Sequence, residues 1–103
     1  MNSEVLILYT RKGCCLCQAL EKKFSNICLE NLNPSIVFSI IDIDSKKVSL
    51  DIQMKYTNEV PVMVLDSTRL LKKIELPRVS PRLKEDMLLS WIQKNLNILY
   101  KKV

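Results

Sequence analysis

The sequence contains no histidine and only one glycine, Gly13, among its 103 residues. Without histidine it cannot form a Ser-His-Asp triad, a Cys–His protease centre or an HExxH zinc site. A single glycine also excludes the GxGxxG and GxxxxGK[ST] loops, which bind dinucleotides and nucleotide phosphates. The sequence therefore excludes these histidine-dependent sites and these glycine-rich phosphate-binding loops.

Aromatic residues are also scarce, at 6%, and the basic residues behind the net charge of +5 come mostly as scattered doublets. Nucleic-acid binding favours clustered basic residues interleaved with stacking rings, so we expect no nucleic-acid partner. No apolar run approaches the ~18 residues of a membrane span, and the run at 5–9 is too short for a secretory signal. We therefore expect a cytoplasmic monomer without membrane contact.

Hydrophobic residues make up 48% of the chain and charged residues 26%, the usual mix of a globular domain. The length suits one domain, which we place at 1–103. Strand and helix patterns alternate in the order β-α-β-α-β-β-α. This order predicts an α/β fold with a four-stranded mixed sheet flanked by three helices. The first two strands should be parallel through a right-handed crossover, and the last two antiparallel.

The boundaries of these elements follow from hydrophobic periodicity and from capping residues. Strands are predicted at 5–9, 36–43, 60–65 and 69–76, with a turn at 66–68 and a sheet edge at the lysine pair 72–73. The first helix should run from Cys14 to between Asn31 and Asn33. A short second helix should be capped by Asp44 or Ser45, and the last should begin at Ser80-Pro81.

Cys14-Cys15-Leu16-Cys17 lies where the first strand turns into the first helix. The thiolate is the attacking form of a cysteine, and lowering a thiol pKa from about 8.5 to about 6 requires roughly 3.4 kcal/mol. The helix dipole contributes about 0.3–1 kcal/mol, so hydrogen bonds from the free N–H groups of the first turn must supply most of it. Arg11 and Lys12 add a screened attraction. These considerations predict Cys14 as a nucleophile.

Spacing favours Cys17 as the partner of Cys14, because residues three apart on a helix face each other. A bridge between the neighbours Cys14 and Cys15 would be strained, so Cys15 should point to solvent. Cys17 lies one turn inside the helix and suits a resolving thiol. Cys28 is expected to be a core residue about three turns further along the same helix, so we expect no metal site. Inert buried cysteines remain the alternative reading of the pair.

The residues 8–17 and the later Val60-Pro61 together resemble the thioredoxin superfamily, and within it a glutaredoxin-like group with a C-x-L-C active site. The resemblance spans essentially the whole chain and implies a thioredoxin-like fold. It implies that Cys14 is the nucleophile and Cys17 the resolving cysteine of a thiol–disulfide oxidoreductase. It also implies a cis-proline at Pro61 beside the dithiol. The residues assigned to substrate binding are Tyr9, Arg11, Lys12, Val60 and Pro61.

The chain departs from the glutaredoxin pattern where glutathione would be held. The usual Gly-Gly turn and following Asp are absent, although free N–H groups near Ser80 and the side chain of Arg82 could hold an anion. We expect no bound cofactor, with glutathione as a candidate electron donor and a disulfide-containing protein or glutathione as the partner. Two alternatives stay open: a non-catalytic thioredoxin-fold binding module, and a glutathione-dependent iron–sulfur carrier that uses Cys14 across a dimer.

Overall fold

The structure, a computed structural model, describes residues 4–32, 35–80 and 82–101. The four strands are β1 (Glu4–Thr10), β2 (Ile36–Asp42), β3 (Val62–Ser67) and β4 (Lys72–Glu75). The three helices are α1 (Cys15–Ser25), α2 (Leu50–Tyr56) and α3 (Glu85–Lys101), and a 3-10 turn at Leu29–Asn31 follows α1. None of the helices in these ranges is long and apolar enough to cross a membrane. The element order confirms the predicted thioredoxin-like architecture.

The strands form one mixed sheet in the order β2-β1-β3-β4. β1 pairs in parallel with β2, and β3 pairs antiparallel with both β1 and β4, as the sequence predicts. The parallel register places Thr10 opposite Asp42 at the carboxyl ends of β1 and β2. The cysteine-bearing loop that follows β1 therefore lies beside the chain that leaves β2.

Alternate residues of β1 supply two apolar cores, because side chains along a strand point to opposite faces. Leu6 and Leu8 lie in the core that α1 and α3 cover, and there Phe24 stacks on Phe38 with ring centroids 4.6 Å apart. The opposite core contains Ile7, Tyr9, Ile43, Tyr56, Val62 and Val64. The loop between β1 and α1 is thus anchored to a strand that is packed on both sides.

Glu4 is a buried carboxylate, 1% exposed, that joins β1 to the β3–β4 turn and to α3. Its Oε1 accepts hydrogen bonds from the Arg69 N–H at 3.1 Å and the Thr68 hydroxyl at 3.4 Å. Its Oε2 accepts one from the Tyr100 hydroxyl at 2.8 Å. The charge is therefore compensated by donors from two distant parts of the chain.

The first helix is shorter than predicted, because α1 ends at Ser25 instead of between Asn31 and Asn33. The Ser25 hydroxyl donates to the Lys22 carbonyl at 2.6 Å, and Asn26 caps the helix with its N–H directed back to Lys23 and Phe24. Side-chain bonds of this kind compete with the helical ladder. Asn33 lies outside the described residues.

The early end of α1 overturns the expected position of Cys28. This cysteine precedes the 3-10 turn and is exposed, so it is not a core residue. The prediction assumed a helix continuous through Cys28, which would have kept one face turned to the sheet. The chain instead leaves the helical path at Asn26 and carries Cys28 outward.

The later helices also begin after their predicted positions. Ser49, rather than Asp44 or Ser45, caps α2, with its Oγ accepting the Ile52 N–H at 3.4 Å. The Ser80 hydroxyl accepts the Arg82 N–H at 3.3 Å and closes a turn, while α3 begins at Glu85. Pro81 lies outside the described residues. A serine followed by proline marked a turn here and not a helix start.

β3 lies two residues later than predicted, and β4 is shorter than the predicted 69–76 because it begins three residues later and ends one earlier. β3 starts at Val62 and includes Asp66 and Ser67. The turn therefore lies after Ser67, and not at the predicted 66–68. Leu71 adopts a left-handed φ of 57° before β4 begins at Lys72. Lys72 and Lys73 are exposed on this edge strand, as predicted.

Candidate functional site

Cys14 and Cys17 form a disulfide at the start of α1, with their Cα atoms 5.2 Å apart. Cys14 is the N-cap of the helix and has extended backbone angles, φ −87° and ψ 107°. The Cα separation falls within the usual range of about 4.4–6.8 Å for a disulfide. The non-helical cap therefore brings two residues of one helical turn within bonding reach, which confirms the pairing predicted from spacing.

The backbone around the pair binds the sulfur of Cys14. The Cys17 N–H donates to the Cys14 Sγ at 3.1 Å, and the Gln18 N–H donates to the Cys14 carbonyl at 3.0 Å. Cys14 is half-buried, whereas Cys17 is 1% exposed. Cys14 is thus the more exposed residue of the pair.

Gly13 provides the turn between β1 and α1. Its φ is +81°, in the left-handed region that favours glycine, and a Cβ placed there would meet no atom within 4 Å. The Cys14 N–H closes this turn by donating to the Arg11 carbonyl at 3.2 Å. The single glycine of the chain is therefore favoured here by its backbone angle, while the surrounding space would accept a larger side chain.

Arg11 fastens the same loop to two other loops at the same end of the sheet. Its guanidinium donates to both carboxylate oxygens of Asp44, at 2.9 and 3.0 Å, and to the carbonyl and hydroxyl of Thr57, at 2.6 and 2.8 Å. The hydrogen bond from Arg11 lowers the pKa of Asp44 from its usual value. Four hydrogen bonds hold the guanidinium, so Arg11 positions the cysteine loop.

The other two residues predicted near the N-terminal side of the motif occupy different environments. Tyr9 is buried, 3% exposed, and its ring stacks on Tyr56 with centroids 5.5 Å apart. Burial and the neighbouring charge of Asp66 raise the pKa of Tyr9. Lys12 is exposed on the loop surface. The structure thus leaves Lys12 exposed to solvent and buries Tyr9 in the core.

The Val60-Pro61 peptide is cis, as the resemblance implies. Pro61 and Leu16 line one cleft of about 90 Å³, which brings the cis-proline turn next to the residues between the two cysteines. The cleft has three walls, from the start of α1, the start of β3 and the segment after β4. Their apolar members are Leu16, Leu20, Pro61, Met63, Leu76 and Val79. The site therefore combines a disulfide with an adjoining apolar cleft.

Two cysteines lie outside the pair. Cys15 is free and exposed, as predicted, and Cys28, just after the end of α1, is also free and exposed. Within the described ranges, no group of three or more Cys, Asp or Glu residues is arranged to hold a metal ion. Cys15 is thus a third thiol beside the pair without a disulfide partner among the described cysteines.

Sequence reasoning missed the partners of Arg11 and the composition of the cleft. A signal for Asp44 was present, because parallel strands bring Arg11, just after β1, near the residues that follow β2. No local pattern marked Thr57 or Val79. Their positions depend on how loops fold back over the end of the sheet.

A family model for a glutaredoxin-like domain (DUF836) matches residues 5–93. The chain belongs to this glutaredoxin-like family. No curated protein matches it. Two solved structures are similar to the glutaredoxin-like chain over most of its length. One, described as the structure of a malarial protein, has a TM-score of 0.60 and 17% identity, covering 92% of this chain and 99% of that one.

The other is the X-ray structure of a structural genomics target protein from X. campestris. It has a TM-score of 0.50 and 19% identity, and covers 86% of the glutaredoxin-like chain and 96% of its own. At these identities the two likenesses bear on the fold alone, and function has to be argued from the site.

Proposed function

We propose that the chain is a thiol–disulfide oxidoreductase that uses Cys14 and Cys17. The observation that carries the proposal is the Cys14 sulfur at the helix N-cap, accepting the Cys17 N–H at 3.1 Å and bonded to Cys17 one turn inside. A sulfur in this position is exposed to a partner, is stabilised as an anion by a backbone donor and has a second sulfur within reach.

The proposed reaction begins with the reduced pair. The Cys14 thiolate attacks one sulfur of a substrate disulfide, forming a mixed disulfide and releasing the other substrate sulfur as a thiolate. Cys17 then gives up its proton and attacks the Cys14 sulfur, which frees the second substrate thiolate. The products are a substrate dithiol and the Cys14–Cys17 disulfide, so two electrons pass from the enzyme to the substrate. A thiol reductant returns them.

The difference in exposure supports the division of roles between the cysteines. Cys14 is half-buried and accessible, whereas Cys17 is 1% exposed. An intermolecular disulfide needs a sulfur that another molecule can approach, and an intramolecular one does not. Cys14 is therefore the attacking thiol and Cys17 the resolving thiol in this proposal.

The partners follow from the same chemistry. The substrate is a disulfide-containing protein or glutathione disulfide, and the electron donor is glutathione or a dithiol reductase. We further propose that the protein acts in the cytoplasm as a monomer without a bound cofactor. Family membership supports the exchange reaction, because the glutaredoxin-like model covers the dithiol and Pro61.

Alkylation of the reduced protein tests the proposal directly. A Cys15→Ser, Cys28→Ser double variant retains only the pair, and iodoacetamide labelling at pH 6–7 followed by peptide mass spectrometry identifies the modified sulfur. We expect Cys14 to react at least about tenfold faster than cysteine in an unstructured peptide, because more of it is thiolate. If Cys14 reacts no faster than the peptide, the proposal fails.

A Cys17→Ser variant tests the second step. With the resolving thiol removed, the reaction should stop at the mixed disulfide on Cys14, which intact mass spectrometry detects as an added substrate half. The matched Cys15→Ser variant should still complete the cycle. Accumulation of the same adduct in Cys15→Ser would reassign the resolving role, and full partner function in a Cys14→Ser, Cys17→Ser variant would favour a non-catalytic binding module.

A further inference from the structure

The cleft beside the dithiol has an apolar lining that is partly exposed to solvent. Leu16, which lies between the paired cysteines, is 51% exposed at its edge. Pro61 forms part of the facing wall and Val79 contributes from the segment after β4. Exposed aliphatic surface in a concave site favours an apolar occupant, because burial removes that surface from water.

The two charged residues among those that line the cleft are each bound within the chain. Arg78 donates through Nη2 to the Glu59 carboxylate at 2.9 Å and also to the Glu59 carbonyl. Glu75 accepts a hydrogen bond from the Tyr56 hydroxyl. The cleft therefore presents compensated charges, which complement a neutral group better than the carboxylates and ammonium group of glutathione.

The size of the cleft also limits its occupant. Sites that enclose a whole small ligand measure roughly 300–1,000 Å³, whereas this cleft measures about 90 Å³. It has room for one side chain. A tripeptide such as glutathione would have to lie mostly outside it.

We propose that this cleft is a specificity subsite that receives a single apolar side chain from the substrate residue next to the cysteine attacked by Cys14. The proposal rests on the exchange reaction proposed above and names its substrate class: protein disulfides flanked by a leucine, methionine or similar residue. Leu16 and Val79 are the specificity-determining contacts, and Arg78, held by Glu59, also lines the cleft. The flanking side chain enters the cleft while Cys14 bonds to the adjacent sulfur and the other substrate sulfur leaves as a thiolate.

Rates of disulfide exchange with matched uncharged substrates test this subsite. The substrates are the symmetrical disulfides of acetyl-Leu-Cys-amide, acetyl-Gly-Cys-amide and their Cys-Leu and Cys-Gly counterparts, with glutathione disulfide and bis(2-hydroxyethyl) disulfide for comparison. The pre-reduced full-length protein is mixed with each, and the released thiol is followed by rapid quench and chromatography. We expect at least one leucine peptide to react about tenfold or more faster than its glycine match, and faster than glutathione disulfide.

Three variants locate the preference. Leu16→Asn should bring the leucine-to-glycine rate ratio close to unity, and Val79→Ser should lower it. Leu16→Met keeps an apolar side chain at this position and should retain the leucine-to-glycine rate ratio. This variant shows whether a lower ratio in Leu16→Asn comes from lost apolar contact or from any change of the residue between the cysteines. Leu50→Asn, at an exposed leucine on α2, is the matched control and should leave the ratio unchanged.

The outcomes separate this inference from the proposed function. A leucine-to-glycine ratio below about threefold, with bis(2-hydroxyethyl) disulfide still reduced, overturns the subsite and leaves the exchange activity standing. A faster reaction with glutathione disulfide than with either leucine peptide has the same consequence. Failure to reduce any of the disulfides overturns both.

Discussion

The N–H of Cys17 donates to the Sγ of Cys14 across 3.1 Å, so the cysteine sulfur fills the position that a serine or aspartate oxygen takes at other helix starts. The same atom thus has two roles: it satisfies a helix donor and it bonds to Cys17. The stability of α1 and the reactivity of the pair depend on one sulfur.

This dual role predicts different stabilities for two substitutions of Cys14. In reduced protein, Cys14→Ser keeps an acceptor for the Cys17 N–H, whereas Cys14→Ala leaves that donor without a cap. We expect Cys14→Ala to be less stable than Cys14→Ser by about 0.5–2 kcal/mol, measured by urea unfolding under reducing conditions. Equal unfolding free energies would show that the sulfur does not cap the helix.

The backbone angle at Gly13 predicts that a substitution there lowers stability through backbone strain and not through a clash with neighbouring atoms. Its φ of +81° disfavours residues with a Cβ, although the space around it is open. Gly13→Ala should lower the free energy of unfolding by about 1–2 kcal/mol, while Gly13→Asn should lower it less, because asparagine tolerates left-handed angles. Thermal or urea denaturation measures both. An alanine variant as stable as the parent would contradict the assigned turn.

The buried carboxylate of Glu4 predicts a dependence of stability on acid. Burial acts to raise its pKa, but hydrogen bonds outweigh burial and lower it; the donors are Ser67, Tyr100, Arg69 and Thr68. The folded state therefore binds this proton less tightly than the unfolded chain. The stabilisation is complete above the unfolded pKa of about 4.5 and is lost as the pH falls through the lower folded pKa.

Glu4→Gln should consequently cost about 1–3 kcal/mol at pH 7 and flatten the acid limb of the stability curve. Urea unfolding at a series of pH values from neutral to strongly acidic measures both effects. Glu21→Gln, on α1, is the control and should leave the curve close to that of the parent. An acid limb that is unchanged in Glu4→Gln would remove Glu4 as its cause.

Two tyrosines with raised pKa values predict that the stability of the fold falls at high pH. Burial and a hydrogen bond to Glu75 raise the pKa of Tyr56 to about 12, and burial and a hydrogen bond to Glu4 raise that of Tyr100 to about 12. Their contribution to stability is complete below pH 10 and is lost as the pH rises towards 12.

Ultraviolet titration of tyrosinate checks this prediction. The folded protein should ionise these two tyrosines near pH 12, and the urea-unfolded chain should ionise all of its tyrosines near pH 10. Tyr100→Phe removes one of the late steps without changing the other. Ionisation of every tyrosine near pH 10 in the folded protein would contradict the buried hydrogen bonds.

The sequence predicted those features of the site that depend on nearby residues. The order of strands and helices and the Cys14–Cys17 pairing follow from periodicity and from three-residue spacing, and the structure confirms them. The cis peptide at Pro61 came from the family resemblance, since proline composition alone does not imply it.

Features that depend on competing local bonds or on distant contacts were not predicted. The exposed position of Cys28 follows from the Ser25 side-chain bond and the Asn26 backbone N–H bonds that end α1, and periodicity does not register such bonds. The attachment of Arg11 to Asp44 and Thr57 depends on loop conformations beyond the end of the sheet. A hydrophobic pattern indicates which residues face a core and leaves the paths of polar loops undetermined.

The Arg11 attachment has a consequence for the order in which the protein is made. Its partners lie 33 and 46 positions further along the chain, so the ribosome releases the cysteines well before the residues that anchor their loop. A nascent chain that stops before Asp44 carries both thiols without any of the guanidinium contacts that position them, and one that stops before Thr57 has only the contacts to Asp44. During synthesis, both cysteines are therefore made before the residues that hold their loop in place.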